Sequence, residues 1–156
     1  MLAPGRATAT SAARLTPVED GSILVDGEVP ERDRYSIVVQ TDLKAISAFR
    51  LEVLPDPSLP LSGPGRNDNG NLVLTEFQVQ LLPDPKAASG TPLAFERAAA
   101  DHAQDGFSID NAVDGKNDTG WAILPRAGRA HEAVFELRAP LSSQNPLTLL
   151  FILDHQ

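Results

Sequence analysis

Two strictly alternating segments end in the same tetrapeptide, and that punctuation limits the fold more than any other feature of the chain. Between Ile46 and Leu54, Phe49, Leu51 and Val53 fall on one side and Arg50 and Glu52 on the other, the period-2 signature of a strand with one wet face. Between Leu72 and Leu82, Val73, Phe77, Val79 and Leu81 face one way while Glu76, Gln78 and Gln80 face the other. Leu54-Pro55-Asp56-Pro57 closes the first segment and Leu82-Pro83-Asp84-Pro85 the second. Proline brings no ladder N–H and fixes φ, so each copy is a strand stop. The residues that follow the two copies differ, which makes them similar strand ends rather than an internal duplication. With 13 Pro and 11 Gly against 6 Phe, 1 Tyr and 1 Trp in 156 residues, many short elements joined by turns are predicted and a long-helix protein is excluded.

The rest of the chain reads in the same register. Ser22 to Val25 precedes an Asp26-Gly27 turn signal, and Tyr35 to Val39 is β-branched and aromatic. Ala133, Phe135 and Leu137 alternate with Glu136 and Arg138, and Leu147 to Leu153 (LTLLFIL) is apolar on both faces, as a central strand must be. The Ala-rich run Phe95 to Gln104 fits a helical turn or two, or strand and loop. These elements predict an all-β fold, an antiparallel β-sandwich of jelly-roll type. Residues 1–19 are expected to be a linker, and 20–156 a single domain in which halves 20–85 and 91–156 supply complementary strands.

Charge and composition narrow the partners. Thirteen Lys and Arg against 21 Asp and Glu give a net charge of −8, and the basic residues do not cluster, so nucleic acid is not an expected partner. Zero Cys excludes disulfides, thiolate nucleophiles and Cys-ligated metals. No segment reaches the ~20 apolar residues of a membrane-spanning helix, so membrane insertion is not expected. The first fifteen residues lack the apolar core of a secretory signal; an exported location, periplasmic or extracellular, therefore requires a signal outside this chain.

Catalytic signatures are absent: there is no G-x-S-x-G, no H-E-x-x-H and no P-loop, since Asn71 stands where the P-loop lysine is needed. The expectation is a protein that is not an enzyme. Two loops carry the remaining polar chemistry. Ser62 to Asn71 is a long turn-rich loop in which Arg66, Asn67, Asp68 and Asn69 offer guanidinium, amide and carboxylate groups suited to sugar hydroxyls. His131 borders a second loop, beside Arg126 and Arg129. In Asp114-Gly115-Lys116-Asn117-Asp118-Thr119, Asp114, Asn117 or Asp118, and Thr119 can deliver oxygens to a hard cation such as Ca²⁺, and Gly115 supplies backbone freedom. The spacing is not that of an EF-hand. The alternative is an Asp-Gly turn in which Asp114 binds local N–H groups without an ion. A hydrolase using Asp110 and Asp114 as paired carboxylates requires both in one cleft. Trp121, the only Trp, reads as a core anchor.

The stretch Ala112-Val113-Asp114-Gly115-Lys116-Asn117-Asp118-Thr119-Gly120-Trp121 resembles the opening A-x-D-G-x-x-x-T-x-W block of discoidin or coagulation-factor type C domains, which are galactose-binding-like jelly rolls. The resemblance implies a structural Ca²⁺ held by the Asp and Thr of this block together with a Glu in a late strand. Thr75-Glu76-Phe77-Gln78-Val79 resembles that strand, which makes Glu76 the implied third ligand. The family places the strand after the block, whereas Glu76 precedes Asp114. A circular permutation, or the end of one copy joined to the start of another, is implied. Phe49 to Val79 with Asp105 to Ile123 also resembles a segment of large planctomycete proteins that carry cytochrome-c-like domains. The function these resemblances imply is non-catalytic binding of carbohydrate or a cell-surface glycan. The rival function is a spacer or interaction domain that contacts neighbouring domains of the parent protein and takes no small ligand.

Overall fold

The computed structural model describes residues 4–156, and there the chain is all-β with antiparallel sheets. The strands are β1 (Pro4–Ala9), β2 (Ala13–Pro17), β3 (Ile23–Gly27), β4 (Asp33–Thr41), β5 (Ala45–Val53), β6 (Val73–Leu82), β7 (Thr91–Pro92), β8 (Phe95–Ala100), β9 (Trp121–Ala122), β10 (His131–Ser142) and β11 (Leu147–His155). Among the described residues, one sheet runs β1-β4-β11-β6-β7, with β9 also pairing β6. A second runs β5-β10-β8, and β2 and β3 form a separate hairpin. No helix of the described residues is long and apolar enough to cross a membrane.

Strand placement follows the sequence pattern. The doubly apolar β11 lies between β4 and β6. Its Leu149 and Leu153 enter the main core, while Leu150 and Ile152 join Val38 and Leu82 in a smaller cluster on the other face. Both copies of Leu-Pro-Asp-Pro fold alike. Asp56 Oδ1 accepts the Ser58 amide at 2.8 Å and Asp84 Oδ1 accepts the Lys86 amide at 2.8 Å. The aspartate thus makes a local turn as soon as proline has ended the ladder. The Ala-rich run is the strand β8, paired to β10.

One expectation about the chain's organisation is revised. Residues 1–19 are not a linker where they are described: β1 pairs with β4 and β2 with β3. Backbone hydrogen bonds make these strands, so the Ala/Thr/Ser-rich sequence reveals little of them; residues 1–3 lie outside the described part. The two halves share both sheets: β11 from the later half lies between β4 and β6, and β10 lies beside β5.

The main core joins the two sheets. Phe77 of the larger sheet stacks on Phe135 of the smaller, with ring centroids 4.1 Å apart, and Phe49 meets Phe151 edge-on at 5.3 Å. Trp121 is fully buried, as its solitary position suggested, and its indole N–H donates to the His102 carbonyl at 2.8 Å. The Phe135 side chain has no solvent exposure. Replacing it with Ala is expected to lower the unfolding free energy by about 3–5 kcal/mol, measured by urea denaturation. A loss below about 1 kcal/mol would mean that the two sheets are not held by this stack.

Candidate functional site

Glu76 sits in β6 opposite Asp154 of β11 and is only 5% exposed. A carboxylate buried there requires hydrogen bonds, and they come from a segment about forty positions later. Its Oε1 accepts the Gly115 amide at 2.6 Å and the Lys116 amide at 3.1 Å. A 3-10 turn, Ile109–Val113, delivers these donors: Ile109 and Ala112 are buried in the core, and Asp114 ends the turn. Gly115 then takes φ +77°, the left-handed region where glycine is favoured. Asp114 organises the bend that follows. Its Oδ1 accepts the Lys116 amide at 2.9 Å, and the Thr119 hydroxyl donates to its Oδ2 at 2.9 Å.

Glu76, Asp114 and Thr119 are therefore neighbours. The Glu76 carboxyl is shifted above its ordinary pKa, first by burial and further by the negative charge of Asp114, against the opposing pull of the Gly115 and Lys116 amides. The Lys116 ammonium stands 4.0 Å from Asp114 Oδ2. Asn117 lines a shallow depression with Thr75, Asp154 and His155. No group of three or more His, Asp or Glu side chains that could hold a metal occurs among the described residues. Any cation here would draw on two carboxylates supplemented by hydroxyl, amide or carbonyl oxygens. Asp110 is exposed at the start of the turn, its carboxylate facing the Ser108 hydroxyl at 3.5 Å.

The turn-rich loop folds back on itself at the beginning of β6. Gly65 is packed so closely that a Cβ would lie 1.7 Å from the Asn71 carbonyl oxygen. Asn71 is a buried clasp: its Nδ2 donates to Gln104 Oε1 at 3.1 Å and its Oδ1 accepts the Ile123 amide at 3.1 Å. Asn69 Oδ1 accepts the Asn71 amide at 3.0 Å, and the Gly70 amide donates to the Asn67 carbonyl at 2.8 Å. Asn67, Asp68 and Asn69 are exposed. Arg66 turns inward. Its guanidinium donates to the Tyr35 hydroxyl at 3.1 Å, the Gly27 carbonyl at 2.9 Å and the Glu28 carbonyl at 2.5 Å, pinning the β2–β3 hairpin to the loop.

His131 is not a surface histidine. It is 4% exposed, with Nδ1 2.9 Å from Asp101 Oδ2 and Nε2 3.0 Å from the Arg126 carbonyl. Both ring nitrogens are occupied within the fold, which removes His131 from the ligand-binding set expected of it. Burial would raise the Asp101 pKa, but the Glu132 amide and His131 outweigh it and hold the carboxyl below its ordinary value.

A cleft of about 580 Å³ opens between the β2–β3 hairpin, the edge of the sandwich and the loop containing Arg66 and Asn67. The alternation of isolated strands gave no sign of it, because it exists only where the hairpin stands off from the two sheets. His155 borders the cleft and packs against Tyr35 with the rings tilted at 41° and their centroids 4.5 Å apart. Its Nε2 is shut away from solvent and has no hydrogen-bond partner. Burial, aided by nearby Arg66 and opposed by Asp154 and Asp33, pushes its pKa down to about 4.

No family model matches the chain, and no curated protein or solved structure matches it either.

The folded-state pKa of His155 lies below the 6.5 of a free imidazole, so the unfolded chain takes up this proton first. Its contribution to stability is complete above about pH 6.5 and is lost as pH falls toward about 4. His155→Phe keeps a ring on Tyr35 and removes the orphan nitrogen. At pH 5 the variant is expected to be more stable than the wild type by about 1–3 kcal/mol, with a smaller gain at pH 7.5. Urea unfolding at the two pH values checks this, and equal or lower stability of the variant at pH 5 would contradict it.

Proposed function

We propose that this domain is a non-catalytic binding module of a larger exported protein, taking carbohydrate or a cell-surface glycan at the rim formed by Asn67, Asp68 and Asn69. The finer architecture we propose is the permuted, discoidin-like jelly roll. The observation that carries this reading is the meeting of Glu76 with the Asp114–Thr119 bend, at 2.6 Å from Glu76 Oε1 to the Gly115 amide. It joins the two sequence blocks that resemble the discoidin family, despite their reversed order. Ca²⁺ is the proposed structural ion. Glu76, Asp114 and Thr119 would hold it with Asn117, and the mutual repulsion of the two carboxylates favours a dication over none. Such an ion supplies positive charge and cross-linking, not chemistry. The chain's own residues do the rest: Gly115 and Lys116 amides orient Glu76, and the Thr119 hydroxyl orients Asp114.

Polar loop groups exposed on a rigid sheet are suited to recognising sugar hydroxyls. The internal engagement of Arg66 and His131 favours a second reading. In it the loop is architecture, and the domain is a spacer or interaction module contacting its neighbours in the parent protein.

Thermal unfolding in millimolar Ca²⁺ and then in excess chelator tests the ion. The melting temperature should rise with Ca²⁺, with the unfolding free energy increased by about 2.7 kcal/mol at a hundredfold excess over the dissociation constant, and Asp114→Ala should abolish the rise. Identical melting in both conditions would remove Ca²⁺ from the account. Amide shifts of Asn67 to Asn69 on titration with methyl glycosides and with a glycan array's positive ligands test the sugar. Their absence would leave the spacer.

A further inference from the structure

The cleft beneath the β2–β3 hairpin carries a more specific chemistry than its rim. We propose that it binds a small cationic amphiphile, with an apolar body of alkyl-chain size inside the cleft and an ammonium group at its acidic mouth. This goes beyond the glycan reading and stands independently of it. The volume of about 580 Å³ lies within the ~300–1,000 Å³ of small-molecule sites. Leu15, Val25, Ile37, Leu51, Leu54 and Leu153 line it, so burying an apolar body there removes apolar surface on both partners from water. Val18 and Val29 also line it and are 38% and 54% exposed, among the few large apolar side chains of the described residues left to solvent.

Charge selects the head group. Asp20, Asp33 and Asp56 line the cleft, against Arg66 as the one lysine or arginine in the lining; Glu52 also borders it but is paired with Arg50 at 3.4 Å. Three of the five guanidinium N–H donors of Arg66 are committed to Tyr35 and to two backbone carbonyls, so an incoming anion meets a lining in which carboxylates outnumber a largely engaged guanidinium. Asp33 is likewise occupied, by Thr10 and Ser11. Asp20 and Asp56 make only local turn bonds to Ser22 and Ser58, which leaves each carboxylate oxygens for an ammonium. His155, kept neutral by burial, adds no positive charge to the floor. The same lining that accepts an alkylammonium therefore disfavours a fatty carboxylate of equal length.

Titration of the ¹⁵N-labelled domain with n-octylammonium, n-octanol and n-octanoate, each below its aggregation threshold, separates these terms, with methyl β-glucoside as the sugar control. Octylammonium is expected to bind at least about tenfold more tightly than octanol and octanoate most weakly, with shifts at Val18, Val25, Val29 and Leu51. Asp20→Asn with Asp56→Asn, in which the amide oxygen can still accept the turn amides of Ser22 and Ser58, should reduce octylammonium to the affinity of octanol while octanol binding and the dispersion of the amide spectrum are unchanged. Leu51→Trp, which fills the cleft, should weaken all three alkyl probes. Octanoate binding as well as octylammonium, or no cleft shifts with any alkyl probe, would overturn the proposal. If methyl β-glucoside alone shifts Asn67 to Asn69, the glycan reading stands and this one fails. If octylammonium binds and the glucoside does not, this one stands and the glycan reading fails.

Discussion

A buried carboxylate cannot stay ionised in a β-sandwich without donors, and Glu76 obtains its donors from a bend that belongs to a different part of the chain. The two amides it accepts, from Gly115 and Lys116, fix where the 3-10 turn Ile109–Val113 ends. They thereby fix where Trp121 re-enters the core. The Glu76 side chain is thus the point at which the larger sheet, the turn and the buried Trp are brought into one arrangement. Its raised pKa is the counterpart of that burial. Two carboxylates are held close together by amide donors, with the Lys116 ammonium beside Asp114.

Around that contact the fold solves the same problem repeatedly, by giving a polar group buried near the rim a distant partner. Asn71 ties the start of β6 to Gln104 and Ile123. Arg66 ties the loop to the hairpin, and His131 ties β10 to the Asp101 turn. These loops are consequently positioned by side chains and not only by strand geometry. The hairpin is held least, through Arg66 and its short connections, and it is there that the molecule leaves an open cleft.

Legibility in the sequence tracks how local the cause is. Alternation in β5, β6 and β10 and the doubly apolar β11 were readable because each strand's two faces meet different surroundings. The repeated tetrapeptide was readable because proline acts on its own backbone. β1 and β2 were not readable, since their pairing rests on backbone groups that every residue has and their side chains are small and mixed. The Ala-rich strand β8 was equally compatible with helix. Glu76 was visible only by resemblance: nothing in its neighbourhood in the sequence names Gly115 as its partner. His131 reads as a loop residue, and its burial depends on Asp101 thirty positions away. The cleft lines itself with residues from the hairpin, β4, β5, the rim loop and β11, and no window of sequence contains it.

Hydrogen exchange at the Gly115 and Lys116 amides measures the central contact directly, because their acceptor is the Glu76 carboxylate itself. In the wild-type domain both amides should exchange far more slowly than those of exposed Asn67 and Asp68, and in Glu76→Ala they should lose that protection while the amides of β11 keep theirs. Exchange at Gly115 as fast as at Asp68 in the wild type, or unchanged by Glu76→Ala, would contradict the account.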